Sequence, residues 1–167
     1  YNYLLTLASL FAILQDGGFR TLVFRELTSP TFKNLTDRLV PLSLGHNLLV
    51  TIAGILIISI LPLKDSFLLM LFVFSFGLVT ITTFFSSQLK GKGMFSTEAQ
   101  WRIITRTLGM LGVLAFIFVF SPSIEIILVG SIVGYGIAFF LLPSDCELKF
   151  LFKKLDPVVY KSLGSLL

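Results

Sequence analysis

The sequence predicts an all-α protein, a polytopic bundle of transmembrane helices. Hydrophobic residues make up 55% of the 167 residues, charged residues make up 13%, and the mean hydropathy is +0.94. A soluble domain of this size needs more polar surface than that. Uncharged apolar runs also recur along the chain, each long enough to cross about 30 Å of hydrocarbon as a helix. Helices are expected because isolated strands leave backbone groups unpaired in lipid, and the runs lack the alternation of a barrel.

Taken in order, the runs predict about five spans and the start of a sixth. The first segment, Tyr1 to about Leu27, reaches spanning length only if Asp16 and Arg20 are included. Short turns at Pro62 and Pro122 join neighbouring spans, and a new apolar segment starts at Val158 after an interfacial tail. The four uncharged runs between these limits are Leu39 to Leu63, Ser66 to Leu89, Thr107 to Ile124 and Ile126 to Ser144.

Basic residues lie almost entirely on one side of this predicted topology. Of the 13 Lys and Arg residues, all but Lys64 fall in the connections after the first, third and fifth spans. The positive-inside rule makes that side cytoplasmic, so the chain begins outside. Orientation in the membrane also explains the net charge of +4 better than nucleic-acid binding does, because no separate basic domain is present.

The residue patterns of enzymes are missing from the sequence. No carboxylate pair has a spacing suited to acid–base work, and "GKG" at Gly91 to Gly93 lacks the frame of a phosphate-binding P-loop. The single cysteine, Cys146, offers neither an intramolecular disulfide nor a metal cluster. We therefore expect a transporter rather than an enzyme, with no cofactor and no metal.

The stretch "DGGFRTLVFRE" supplies the candidate site residues Asp16, Arg20, Arg25 and Glu26. At 1.5 Å per residue, a helix that starts outside near Tyr3 places Asp16 roughly 20 Å and Arg20 roughly 26 Å into the membrane. Ionisable groups at such depth are costly and are functional candidates. Asp16 and Arg20 are four residues apart and are expected to share a helix face, with Gly17 and Gly18 loosening the helix between them, so they either line one polar cavity or form a pair that only settles helix packing.

Other polar or small residues inside the spans have simpler interpretations. His46 has no spaced carboxylate, which favours a hydrogen-bonded packing residue over a proton pathway. Gly130 and Gly134 are in GxxxG register and predict close helix packing, with a moving interface as the alternative.

The basic connection before the fourth span is interpreted as structural. Trp101 and Arg102 look like an anchor at the membrane interface, and Lys90 to Arg106 is interpreted as a loop that sets topology.

Two stretches carry a resemblance to a known family. "YNYLLTLASLFAILQDGGFRTLVFRELTS" resembles the second transmembrane helix of Wzx-type polysaccharide flippases, with a D-x-G element followed by an Arg-Glu pair near the cytoplasmic end. "SSQLKGKGMFSTEAQWRIITRTLGML" is similar to the cytoplasmic link of these proteins. Wzx-type flippases belong to the multidrug/oligosaccharidyl-lipid/polysaccharide exporter superfamily. The resemblance covers essentially the whole chain.

The resemblance implies a place within a larger transporter. Residues 1–167 would be helices two to six and the start of helix seven of a longer, MATE-like protein with two bundles. The implied function is translocation of lipid-linked oligosaccharide, a glycan on undecaprenyl pyrophosphate, across the bacterial plasma (inner) membrane. Its implied partners are membrane lipids and the polysaccharide polymerase machinery. Arg20 would attract the lipid-linked phosphate or an acidic glycan, and Asp16 would tune Arg20 or take up a coupling cation.

Two other functions remain open at this stage. One is a cation-coupled multidrug exporter of the same superfamily, although a pocket for organic cations favours acidic and aromatic groups over the basic excess seen here. The other is a membrane scaffold protein without a transport cycle.

Overall fold

The computed structural model describes residues 2–28, 33–61, 65–120, 122–144 and 146, and for Asn2, Glu26 and residues 33–38 it describes only the backbone. These residues form helices and no strand, which confirms the all-α class. The six helices are α1 (Asn2–Asp16), α2 (Phe19–Thr28), α3 (Lys33–Ile60), α4 (Ser66–Gly91), α5 (Phe95–Val119) and α6 (Ile124–Phe140).

Among the described residues, four segments are long and apolar enough to cross a membrane, as expected of a membrane protein. They are Tyr3–Arg25, Leu39–Ile60, Ser66–Gly91 and Phe95–Val119. The fifth predicted span corresponds to α6, a shorter apolar helix of 17 residues. The interfacial tail and the sixth span predicted from Val158 lie outside the described residues.

The first span is two helices separated by a pair of glycines. Gly17 and Gly18 have φ values of 51° and 74°, in the left-handed region that glycine enters without a steric penalty. A Cβ at Gly17 would also lie 2.8 Å from Nε2 of His46, so this position has no room for a side chain. The glycine pair therefore ends α1 at Asp16 and lets α2 start in a new direction.

The helices run up and down around α4, which contacts all five others. Two apolar clusters mark the ends of the bundle. One joins the start of α1 to the end of α3 and the starts of α4 and α6, through Leu4, Ile58, Leu69 and Leu128. The other joins α2 and the start of α3 to the end of α4 and the start of α5, through Phe19, Leu44, Phe85 and Trp101. The links predicted to be cytoplasmic therefore share the second end.

Glycines bring α5 and α6 into backbone contact. A Cβ at Gly112 would lie 2.3 Å from the carbonyl oxygen of Gly130, and one at Gly134 would lie 2.3 Å from that of Leu108. Real Cβ atoms do not approach so closely, so each position requires glycine. The close packing predicted for Gly130 and Gly134 is confirmed.

We expect the link around Lys92 to be cytoplasmic and Ser123 to face outside, because of the twelve-to-one distribution of basic residues. With Cys146 replaced by Ala, a membrane-impermeant maleimide added to intact cells should label Ser123→Cys and leave Lys92→Cys unlabelled until the cells are permeabilised. Labelling of Lys92→Cys in intact cells would overturn this topology.

Candidate functional site

A cavity of about 600 Å³ opens at the end of the bundle predicted to be cytoplasmic, between α2, α4, α5 and α6. Four basic side chains line it: Arg20 from α2, Lys90 from α4, and Arg102 and Arg106 from α5. Ionisable groups in membrane proteins face cavities of this kind because lipid cannot solvate them. The cavity wall therefore offers several cations to one anionic group.

Hydroxyl groups form much of the remaining wall. They come from Thr21 on α2, from the α4 residues Thr82, Thr83, Ser86 and Ser87, from Thr105 on α5 and from Tyr135 on α6. Thr82, Thr83 and Thr105 bond backbone carbonyls one turn earlier on their own helices, so these polar side chains are tolerated inside a helix. Hydroxyls both donate and accept hydrogen bonds, and they match the hydroxyls of a sugar.

Arg20 and Thr21 belong to the first turn of α2, directly after the glycine break. The first turn of a helix carries backbone N–H groups without helical partners and the positive end of the helix dipole. The break therefore brings the first turn of a helix to the cavity wall. This adds to the attraction that the four cations exert on an anion.

A buried carboxylate joins two of these cations. The Glu98 side chain is 8% exposed, and its Oε1 accepts hydrogen bonds from Nε of Arg102 at 3.0 Å, from Nη2 of Arg102 and from the Ser86 hydroxyl. Nζ of Lys90 lies 3.7 Å from the same oxygen. Because a buried charge is stable only when paired, these contacts explain how Glu98 is accommodated.

Of the three predicted site residues whose side chains the structure describes, one lies at the cavity. Arg20 lines it, whereas Asp16 is half-buried at the end of α1 and Arg25 is exposed in the last turn of α2, both outside its lining. The side chain of Glu26 lies outside the described residues. The shared helix face expected for Asp16 and Arg20 was wrong, because the glycine pair interrupts the helix between them.

Trp101 is not the interfacial anchor that the sequence predicted. It is 1% exposed, its Nε1 donates to the carbonyl oxygen of Thr82 at 3.2 Å, and its ring packs edge-on against Phe85. The segment from Lys90 to Arg106 is also not a loop, because α4 runs to Gly91 and α5 begins at Phe95. Three of its four basic residues, Lys90, Arg102 and Arg106, are consequently held on helices beside the cavity, whereas Lys92 lies in the turn between α4 and α5.

His46 is a hydrogen-bonded packing residue, which confirms the simpler interpretation. Its Nε2 lies 2.9 Å from the carbonyl oxygen of Leu14, and its ring packs against Phe19. Since a carbonyl oxygen only accepts, Nε2 carries the proton. His46 thus braces the end of α1 and the glycine break from α3.

A second polar contact, not predicted from the sequence, lies deeper in the bundle. Gln15 is fully buried, and its Nε2 donates to Oγ1 of Thr51 at 3.0 Å and to the carbonyl oxygen of Val73 at 2.8 Å. Gly77 leaves room for it, because a Cβ there would lie 2.7 Å from Oγ1 of Thr51. The contact ties α1 to α3 and α4 just before the glycine break.

The sequence did contain a signal for the missed cavity residues. Glu98, Arg102 and Arg106 are spaced by four, which places them on one face of a helix. In "TTFFSSQLK", the hydroxyl pairs at Thr82 and Ser86 also precede Lys90 at intervals of four. Taking Lys90 to Arg106 as a loop hid the first pattern and separated Lys90 from the second.

Comparisons with known proteins do not assign a family. No protein-family model matches the chain, and the searches of curated proteins and of solved structures gave no match.

Proposed function

We propose that this chain belongs to a membrane transporter that carries a lipid-linked oligosaccharide, with the pyrophosphate held in the basic cavity. The observation that carries the proposal is the convergence of Arg20, Lys90, Arg102 and Arg106 from three helices on one cavity. Arginine pairs with phosphate oxygens through two parallel N–H donors, and such charge-assisted bonds are stronger than neutral ones.

The size and lining of the cavity support this cargo. A volume of about 600 Å³ is in the range of small-molecule sites and suits a pyrophosphate with its first sugars. Hydroxyl groups line the side formed by α4, where Ser87 and Thr83 lie one turn apart. A polyprenyl tail would remain in the bilayer while the cavity replaces water around the polar headgroup.

The basic wall of the cavity argues against a multidrug exporter. Four basic side chains repel an organic cation, and Glu98, the carboxylate that contacts this wall, is already engaged by Lys90 and Arg102. A scaffold protein has no need for a basic polar cavity inside an apolar helix bundle, where each ionisable group is costly.

Reconstitution separates these functions. The protein, purified in the form its host makes, is placed in proteoliposomes with a lipid-linked oligosaccharide or with a cationic dye. We expect protein-dependent movement of the glycan lipid and no movement of the dye. Movement of the dye alone would favour the multidrug exporter, and movement of neither would favour the scaffold protein.

A further inference from the structure

Glu98 is a carboxylate that contacts two of the cations that an incoming anion would bind. It lies in the first turn of α5 and is buried, whereas the side chains of Lys90 and Arg102 are 38% and 44% exposed and line the cavity. Both cations thus contact Glu98 and remain partly accessible from the cavity.

A single oxygen of Glu98 makes all the contacts of this cluster. Oε1 receives Arg102, Lys90 and the Ser86 hydroxyl, so one negative charge is shared by two cations from two helices. A phosphate oxygen has the same charge and the same acceptor chemistry. An anion in the cavity would therefore draw on donors that Glu98 already occupies.

We propose that Glu98 determines the anion affinity of the cavity, by acting as an internal counter-ion that competes with the pyrophosphate group for Lys90 and Arg102. This inference rests on the function proposed above. Arg20 and Arg106 lie on the wall outside the Glu98 cluster and give the first attraction. Because binding must displace Glu98 from Lys90 and Arg102, the free energy gained when pyrophosphate binds is smaller. The headgroup can therefore be released again on the other side of the membrane.

Titration calorimetry with inorganic pyrophosphate tests the proposal on the full protein. Glu98→Gln keeps the shape and an acceptor for Ser86 but removes the charge, and it should tighten pyrophosphate binding about five- to tenfold. Glu98→Asp keeps the charge but withdraws it by one methylene group, so its affinity should fall between those of wild type and Glu98→Gln. Glu125→Gln is the matched control, since Glu125 is exposed in the first turn of α6 and outside the cavity lining.

A purely structural role for Glu98 predicts the reverse order. If the carboxylate only positions Lys90 and Arg102, Glu98→Gln binds pyrophosphate most weakly and Glu98→Asp is intermediate, which would overturn the counter-ion proposal. Unchanged affinity in both variants would also overturn the counter-ion proposal. In that case, pyrophosphate binding by the wild-type protein would still support the proposed function. A wild-type protein and variants that all fail to bind pyrophosphate would overturn both.

Transport kinetics give a second measurement, which a change in protein stability alone does not alter. In proteoliposomes, Glu98→Gln should lower both the KM and the kcat for the lipid-linked glycan, because tighter binding slows release. A raised KM with an unchanged kcat would contradict the proposal.

Discussion

Replacing Arg20 with Gln should reduce glycan export at the cell surface at least about tenfold while the protein level stays near that of wild type. One charge-assisted contact to a phosphate contributes about 1.5–3 kcal/mol, and each 1.4 kcal/mol is about tenfold in affinity. Arg20 is the cavity cation that belongs to the helix starting at the glycine break, so its loss leaves the α2 side of the cavity without a cation.

The measurement is surface glycan in cells that express the variant from its own gene, normalised to protein in the membrane fraction. Lys92→Gln is the matched control, because Lys92 lies in the turn at the same end of the bundle but outside the cavity lining. Glycan export at the wild-type level in Arg20→Gln, at normal abundance, would remove Arg20 from the site. Asp16→Asn should have a smaller effect than Arg20→Gln, since Asp16 lies outside the lining.

Replacing Gly134 with Ala should destabilise the protein by about 1–3 kcal/mol or more, the usual cost of overpacking a close contact. Its new Cβ would lie 2.3 Å from the carbonyl oxygen of Leu108 and 2.8 Å from Cα of Gly109. Both neighbours are backbone atoms, which cannot rotate away, so α5 and α6 must separate. Thermal denaturation in detergent should show the loss as a lower midpoint.

Gly136→Ala provides the control for this variant. Gly136 lies two residues further along α6, and a Cβ there would meet no heavy atom within 4 Å. Its midpoint should match that of wild type or rise slightly, because alanine favours a helix over glycine. Equal midpoints for Gly134→Ala and wild type would show that the two helices are not in backbone contact.

The helices themselves could be predicted from hydropathy because lipid leaves the backbone few alternatives. Uncharged runs located α4 and α6 to within four residues, yet they missed the start of α3 by six residues and that of α5 by twelve. A rule that ends a span at the first charge fails for Glu98, Arg102 and Arg106, because a helix can carry charges on the side that faces a polar cavity. The charge pattern therefore grouped basic residues that the structure places at one end of the bundle, but it placed the helix boundary wrongly.

The candidate site was predictable only in part. Arg20 stood out because it follows an apolar run at bilayer depth, and the structure places it on the cavity wall. Its partners come from α4 and α5, about 70 to 86 residues further along the chain, and only tertiary packing brings them together. Trp101 shows the same limitation, since a Trp beside an Arg at a span end is typical of an interface but here is buried against Phe85.

Native mass spectrometry of the lipids that co-purify with the protein tests most directly whether the basic cavity binds a lipid-linked pyrophosphate. The protein is extracted gently from its host, and the bound lipids are identified by mass after release. We expect a polyprenyl-pyrophosphate glycan bound to wild type and strongly depleted from Arg20→Gln at equal protein yield. Only bulk phospholipid on wild type, or the same glycan lipid on both proteins, would contradict this account.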